Sequence, residues 1–189
     1  MKNIVLLASG SGSNVENIIT YFRKKEVACK FHIITNKKDA YVIERAKKLN
    51  VTAEIITKKQ NDEGVLSERI SQINPDLIVL AGYLLLFPAD IVAAFPNKII
   101  NIHPALLPKF GGKGMYGAFV HEAVVATKQD QTGITIHYVS EQYDEGAVIF
   151  QAKVTVVESD TALDVAAKVH ELEYAHFPVI IENLLYNNK

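Results

Sequence analysis

The stretch Ile4-Val5-Leu6-Leu7-Ala8-Ser9-Gly10-Ser11-Gly12-Ser13-Asn14-Val15-Glu16-Asn17-Ile18-Ile19-Thr20-Tyr21-Phe22 sets the architecture. Ile4–Ala8 is apolar throughout, as a strand covered on both faces should be. Val15, Ile18, Ile19 and Phe22 then recur at the i, i+3, i+4, i+7 spacing of an amphipathic helix. Strand, glycine loop and helix in that order open an α/β sheet. Further strand-length apolar runs follow at Phe31–Thr35, Glu54–Ile56, Leu77–Ala81 and Ile99–Ile102, separated by helical segments such as the Val65, Leu66, Ile70, Ile73 stripe before Pro75. Thr132–Val139 and Ala147–Val156 are joined only by Ser140–Gly146, too short for a helical crossover, so these two strands are expected to be antiparallel neighbours. From Asp160 or Thr161 onward Leu163, Val165, Ala166, Val169, Leu172, Ile180, Ile181 and Leu184 keep helical spacing, and Pro178 is expected to kink or divide that helix. The fold class expected is α/β: a three-layer α/β/α sandwich on a mostly parallel, Rossmann-like sheet, with antiparallel strands in the C-terminal part.

With 189 residues, 49% apolar and 22% charged, the chain fits one domain over 1–189. A formal net charge of −1 and the absence of a long basic run speak against a nucleic-acid partner. No apolar stretch approaches the ~20 residues of a membrane span, and Met1-Lys2-Asn3 enters the first strand without a leader pattern, so a cytoplasmic protein acting on small molecules is expected. The single cysteine, Cys29, beside an apolar strand run, reads as a buried structural thiol.

Ser9–Asn14 lies between strand and helix, where glycines admit close backbone approach and the helix N-terminus offers unpaired N–H groups, a natural anion site. Ser13 through Glu16 also fits the S-x-x-E capping box, which would make the segment a capped helix entry alone. Gly10 and Gly12 satisfy G-x-G, but Val15 stands at the third glycine position and no P-loop occurs, so a mononucleotide-type phosphate is favoured over a dinucleotide. In Ile99-Ile100-Asn101-Ile102-His103-Pro104-Ala105-Leu106-Leu107-Pro108, the two-residue period points Asn101 and His103 to the same face at the strand's end, and two prolines stop the strand there. One side chain offers an amide donor for an oxyanion, the other a proton. Asp144, in the Tyr143–Gly146 turn, is a candidate carboxylate partner, and His137 sits in the antiparallel strand. The histidines have no metal-site spacing, neither H-E-x-x-H nor a cysteine pair appears, and no G-x-S-x-G elbow is present, so neither a metal nor a serine nucleophile is expected.

Together, the Ser9–Asn14 loop, the Asn-x-His-Pro run from Asn101 and the Tyr143–Gly146 turn resemble the phosphoribosylglycinamide formyltransferases (glycinamide ribonucleotide formyltransferases), the monofunctional folate-dependent family of purine synthesis. Val79–Tyr83, Thr132–Val139 and Val148–Ala152 extend the resemblance over nearly the whole chain. It implies transfer of the formyl group of 10-formyltetrahydrofolate to glycinamide ribonucleotide, with the N-terminal half to about residue 100 binding the phosphate and the remainder holding catalysis and folate. By the same resemblance Asn101, His103 and Asp144 form the catalytic trio, with His137 in support. Gly12, Ser13 and Asn14 contact the ribonucleotide phosphate, and His170 and Glu173 form a second contact region beside the glycinamide. Folate contacts fall on Leu84, Leu85, Leu86 and Phe87, on Asn101, and on Ser140, Glu141, Gln142, Tyr143 and Asp144, many through backbone. A raised His103 pKa is expected from Asp144 beside it. The partners implied are these two small molecules, with no nucleic acid and no membrane, and the protein a monomer or homodimer.

The sequence departs from the family in three places. Leu85 stands where many members carry arginine, Lys58–Gly64 lacks an arginine common there, and Lys109–Gly117 is longer and richer in glycine, either a lid over the acceptor or a re-capping of the next helix. Three other readings stay open: a 10-formyltetrahydrofolate hydrolase, another folate-dependent N-formyltransferase, and a non-catalytic nucleotide-binding module. The hydrolases and the tRNA enzymes carry additional domains not seen in this sequence.

Overall fold

The computed structural model describes residues 1–186; 187–189, included in the single expected domain, lie outside the described residues. Seven strands form one sheet: β1 (Lys2–Leu7), β2 (Cys29–Thr35), β3 (Ala53–Ile55), β4 (Leu77–Leu80), β5 (Ile99–His103), β6 (Gln131–Tyr138) and β7 (Val148–Thr155). Their order is β3-β2-β1-β4-β5-β6-β7. The first five strands are parallel, and β6 runs antiparallel to both β5 and β7. Seven helices accompany them: α1 (Ser13–Lys24), α2 (Val42–Lys48), α3 (Lys58–Asp62), α4 (Val65–Ile73), α5 (Ala89–Ala94), α6 (Ala118–Ala126) and α7 (Ala162–Tyr186).

The uninterrupted apolar strands are explained by two cores, one on each face. Ile4, Leu6, Leu77, Val79, Ile100 and Ile102 face one core with α1 and α7, while Val5, Leu7, Ile78, Leu80 and Ile99 face the other with α4. On α1, Val15, Ile18, Ile19 and Phe22 are all fully buried, a stripe worth about 1.5–3 kcal/mol per side chain. Asn74 ends α4 in the left-handed conformation, directly before Pro75.

One local alternative and two local expectations are corrected. α1 has no Ser13 capping box: Gly12 occupies the N-cap at φ 71, Ser13 is already helical, and Glu16 pairs with Arg45. Of the two outcomes expected at Pro178, division does not occur, because buried Val169, Phe177, Pro178 and Ile181 hold both halves of α7 to one core, offsetting the lost backbone bond. Cys29 is only partly buried, its Sγ 3.3 Å from the Tyr186 hydroxyl, and burial pushes its thiol pKa up.

β2 lies on one side of β1 and β4 on the other, so a crevice opens beyond the carboxyl ends of these two strands, the usual ligand position of an open α/β sheet. The loops after β1 and β4 meet there: the Ser9 N–H bonds the Gly82 carbonyl at 2.9 Å, and the Ser9 hydroxyl accepts from the Leu84 N–H at 2.9 Å.

Candidate active site

β5 delivers Asn101 and His103 to this edge, and pairing with β6 sets Asn101 opposite His137 and His103 opposite Thr135. The β6–β7 turn folds back so that Asp144, at φ 57, closes the group. Its Oδ2 lies 3.4 Å from His103 Nδ1, and its Oδ1 lies 3.6 Å from His137 Nε2. Asn101 Nδ2 is 3.1 Å from His137 Nε2 and donates at 3.4 Å to Asp144 Oδ1. The Tyr138 carbonyl, 2.8 Å from His137 Nδ1, can only accept, so Nδ1 carries the proton and Nε2 receives the Asn101 amide. All four sequence-predicted residues therefore meet, brought together from two stretches of the chain, 101–103 and 137–144.

The glycine-rich loop after Pro108 packs onto this group. His103 Nε2–H donates to the Phe110 carbonyl at 2.7 Å, and the Gly112 N–H donates to Asp144 Oδ2 at 2.9 Å. In the neutral ring, Nδ1 is then the lone-pair nitrogen and faces the carboxylate. Below the site, Thr135 Oγ1 donates to Ala105 at 2.7 Å while accepting from the Leu107 N–H at 3.0 Å and from Gln151 at 2.9 Å, which fixes the turn after His103.

Burial pushes the His103 pKa below the ordinary histidine value, and the opposing pull of Asp144 and the Phe110 carbonyl is the smaller effect. The raised value expected from sequence is thus corrected: at 3% exposure the imidazole loses more hydration than one carboxylate returns. Burial alone would raise the Asp144 pKa, but the nearby His137 and His103 rings and the Gly112 N–H outweigh it and hold the carboxyl below its ordinary value. Asp144 is thus held as a carboxylate beside a His103 that burial makes a weaker base.

A second cluster lies at the start of α1. Gly12 is in the left-handed region, and a Cβ there would come within 2.5 Å of Val42 Cβ, so the close approach of α2 requires glycine. Arg45 steadies the loop from outside, donating from Nε to the Ser11 carbonyl at 2.9 Å. Asn14 Nδ2 donates to Glu173 Oε2 at 2.9 Å, and His170 Nδ1 approaches the same oxygen at 2.9 Å. That bond to Glu173 raises the His170 pKa. The expected phosphate loop and the expected α7 residues are therefore in direct contact, although 159 positions separate Asn14 from Glu173.

The two stretches expected to contact folate share an open cleft of about 440 Å³ lined by Leu86, Phe87, Asp62, Asp90, Asn61 and Glu141. Leu84 and Leu86 are exposed, whereas Phe87 is buried edge-to-face against Tyr83. Ser140 accepts from the Gln142 N–H at 3.3 Å, shaping the turn that carries Tyr143 and Asp144. Among the described residues no group of three or more His, Cys, Asp or Glu side chains is arranged to hold a metal ion. No helix there is long and apolar enough to cross a membrane.

The formyl transferase family model matches residues 2–181, which takes in every residue of both clusters. The chain belongs to the formyl transferase family. Phosphoribosylglycinamide formyltransferase of Bacillus subtilis is 34% identical over 196 residues, spanning all of this chain and 98% of its own length. The chloroplastic phosphoribosylglycinamide formyltransferase of Arabidopsis thaliana is 36% identical over 194 residues, and this transferase spans 95% of its own chain but only 64% of that relative. Glycinamide ribonucleotide transformylase 1 from Symbiobacterium toebii superimposes with a TM-score of 0.89 at 32% identity, over 99% of this chain and 89% of that one. The α/β formyltransferase fold is thus common to these proteins and this transferase, and the family implies a folate co-substrate. The Phe110 carbonyl, the Gly112 N–H and Thr135 have no counterpart among the residues expected from sequence. The first two act through backbone and leave no side-chain signature, whereas Thr135 was readable as the residue two before His137 on the same strand face.

Proposed function

We propose that this formyl transferase moves the formyl group of 10-formyltetrahydrofolate to the amine of glycinamide ribonucleotide, the acceptor that its relatives' names carry. The observation that carries the reading is Asp144 with its oxygens 3.4 Å and 3.6 Å from two buried histidines, at the mouth of a crevice that also holds the Gly12–Asn14 loop. The N-terminal half to about residue 100 then supplies the phosphate loop and the remainder the chemistry, within one domain. Gly12, Ser13 and Asn14 bind the phosphate through the open end of α1, and His170, kept protonated by Glu173, adds positive charge there. The donor occupies the cleft between Leu84–Phe87 and Ser140–Asp144 and reaches in toward Asn101.

The lowered His103 pKa selects its role. The amine attacks the formyl carbon, its nitrogen becomes cationic, and the formyl oxygen becomes an oxyanion. Neutral His103 accepts the amine's excess proton at Nδ1, and Asp144 stabilises the imidazolium that results. Asn101 gives up its long 3.4 Å bond to Asp144 and donates that hydrogen to the oxyanion, retaining His137 as its anchor. As the bond from the formyl carbon to the folate nitrogen breaks, His103 returns the proton to that nitrogen, and formylglycinamide ribonucleotide and tetrahydrofolate leave.

Purified protein given 10-formyltetrahydrofolate consumes it only when glycinamide ribonucleotide is present, and His103→Ala abolishes that consumption. Equal consumption with no acceptor means a hydrolase. No turnover under either condition means a binding module, and near-normal turnover by folded His103→Ala refutes the catalytic assignment.

A further inference from the structure

Two buried polar atoms near the second cluster lack any hydrogen-bond partner among the described residues: Oδ1 of Asn14 and Nδ1 of His121. An unpaired polar atom at such depth is costly and calls for a specific explanation. His121 stands on the buried side of α6, 4% exposed, between the fully buried Val120 and Val124. Two valines already serve packing there, and a leucine would serve it better than an imidazole with an idle nitrogen.

The location gives the idle nitrogen a use. α6 packs against α7, and the titratable side chains near His121 are His170 and Glu173 toward the phosphate end and His103 toward the reacting end. Burial lowers its pKa, so the ring is neutral near pH 7 and one of its nitrogens is a hydrogen-bond acceptor. Asn14 Oδ1 is also an acceptor, and the Glu173 carboxylate accepts as well. Acceptors thus predominate around the α6–α7 contact, which suits a ligand rich in donors: an amide N–H or sugar hydroxyls.

We propose that His121 is an acceptor-binding residue, whose Nδ1 takes a hydrogen bond from the N–H of the glycinamide portion midway between Ser13–Asn14 and His103. This role rests on the reading given under Proposed function. By gripping the amide, His121 sets where the neighbouring amine stands relative to the formyl carbon, and it has no part in binding the donor.

Three substitutions separate this role from packing. His121→Asn places an amide oxygen near the Nδ1 position, His121→Gln places one nearer Nε2, and His121→Leu fills the volume with no polar atom. Calorimetric titration with glycinamide ribonucleotide in the absence of folate, steady-state KM for each substrate, and Tm are measured for all three. His121→Leu and His121→Gln are expected to weaken acceptor binding about 10-fold or more with donor KM unchanged, and His121→Asn to stay within about threefold of wild type. Tm of His121→Leu is expected to hold or rise, because the unpaired nitrogen is gone. Should His121→Leu fail to fold, His121→Gln carries the comparison. Acceptor affinity within about twofold of wild type in His121→Gln or folded His121→Leu overturns the proposal while leaving the function standing. A wild-type protein that binds no glycinamide ribonucleotide overturns both.

Discussion

Replacing Asp144 with asparagine removes one charge and keeps the side chain's shape and its bond from Gly112. In the proposed path His103 becomes cationic only after the amine has attacked, so the carboxylate acts on the reaction and little on substrate binding. At the observed 3.4 Å separation, unit charges attract by about 5 kcal/mol with an effective dielectric near 20, the value suited to a buried protein site. That corresponds to an upper limit between about 10³ and 10⁴ in rate. Asp144→Asn is therefore expected to lower kcat by about 10³-fold with both KM values within about threefold of wild type. The assay follows 10-formyltetrahydrofolate consumption at saturating glycinamide ribonucleotide, with thermal melting to verify folding. A kcat reduced less than about tenfold would refute the charge-stabilised imidazolium.

Four further outcomes follow. In a pH profile, acceptor-dependent kcat/KM should rise as pH climbs through a value below the ordinary histidine 6.5, since His103 must be neutral to accept a proton; a fall across that range contradicts its role as base. Acceptor KM should increase as pH climbs through a value above 6.5, where His170 loses its charge, and His170→Gln should abolish that dependence. Gly12→Ala forces a Cβ against Val42 at positive φ and should cost about 1–3 kcal/mol of stability and weaken acceptor binding; an unchanged Tm rejects the tight α1–α2 approach. The cleft proposed for the donor carries Asp62, Asp90 and Glu141, so donors with extra glutamates should bind no more tightly than the monoglutamate, and a tenfold preference for the longer tail in a KM comparison would count against that placement.

The sheet was readable because its apolar runs are buried on both faces, and Asn101 and His103 because two residues on one short strand must share a face. Asp144 was harder. It lies 43 residues beyond Asn101, and only antiparallel β6–β7 pairing, with the family resemblance, brings its turn back to β5. Local rules failed where tertiary contacts decided the outcome. Ser13 and Glu16 match a capping box, but Gly12 takes the left-handed N-cap and Arg45 claims Glu16. Pro178 signals a break, yet it lies within a helix whose buried face is continuous. The sign of the His103 shift depends on burial, which an Asn-x-His-Pro pattern does not disclose, and the loop atoms that hold His103 and Asp144 belong to backbone. His121 resembles an ordinary helix residue until its unpaired nitrogen is seen.

The central claim is spatial: amide, imidazole and carboxylate surround one formyl carbon next to the anion loop. A crystal structure with glycinamide ribonucleotide and a non-transferable 10-formyltetrahydrofolate analogue measures this directly. The account predicts the phosphate at Gly12–Asn14, the amine about 3–3.5 Å from the carbon that mimics the formyl group, and His103 Nδ1 and Asn101 Nδ2 within hydrogen-bond reach of the reacting atoms. A donor analogue bound away from Asn101 and His103, or a phosphate seated elsewhere than the Gly12–Asn14 loop, would contradict it.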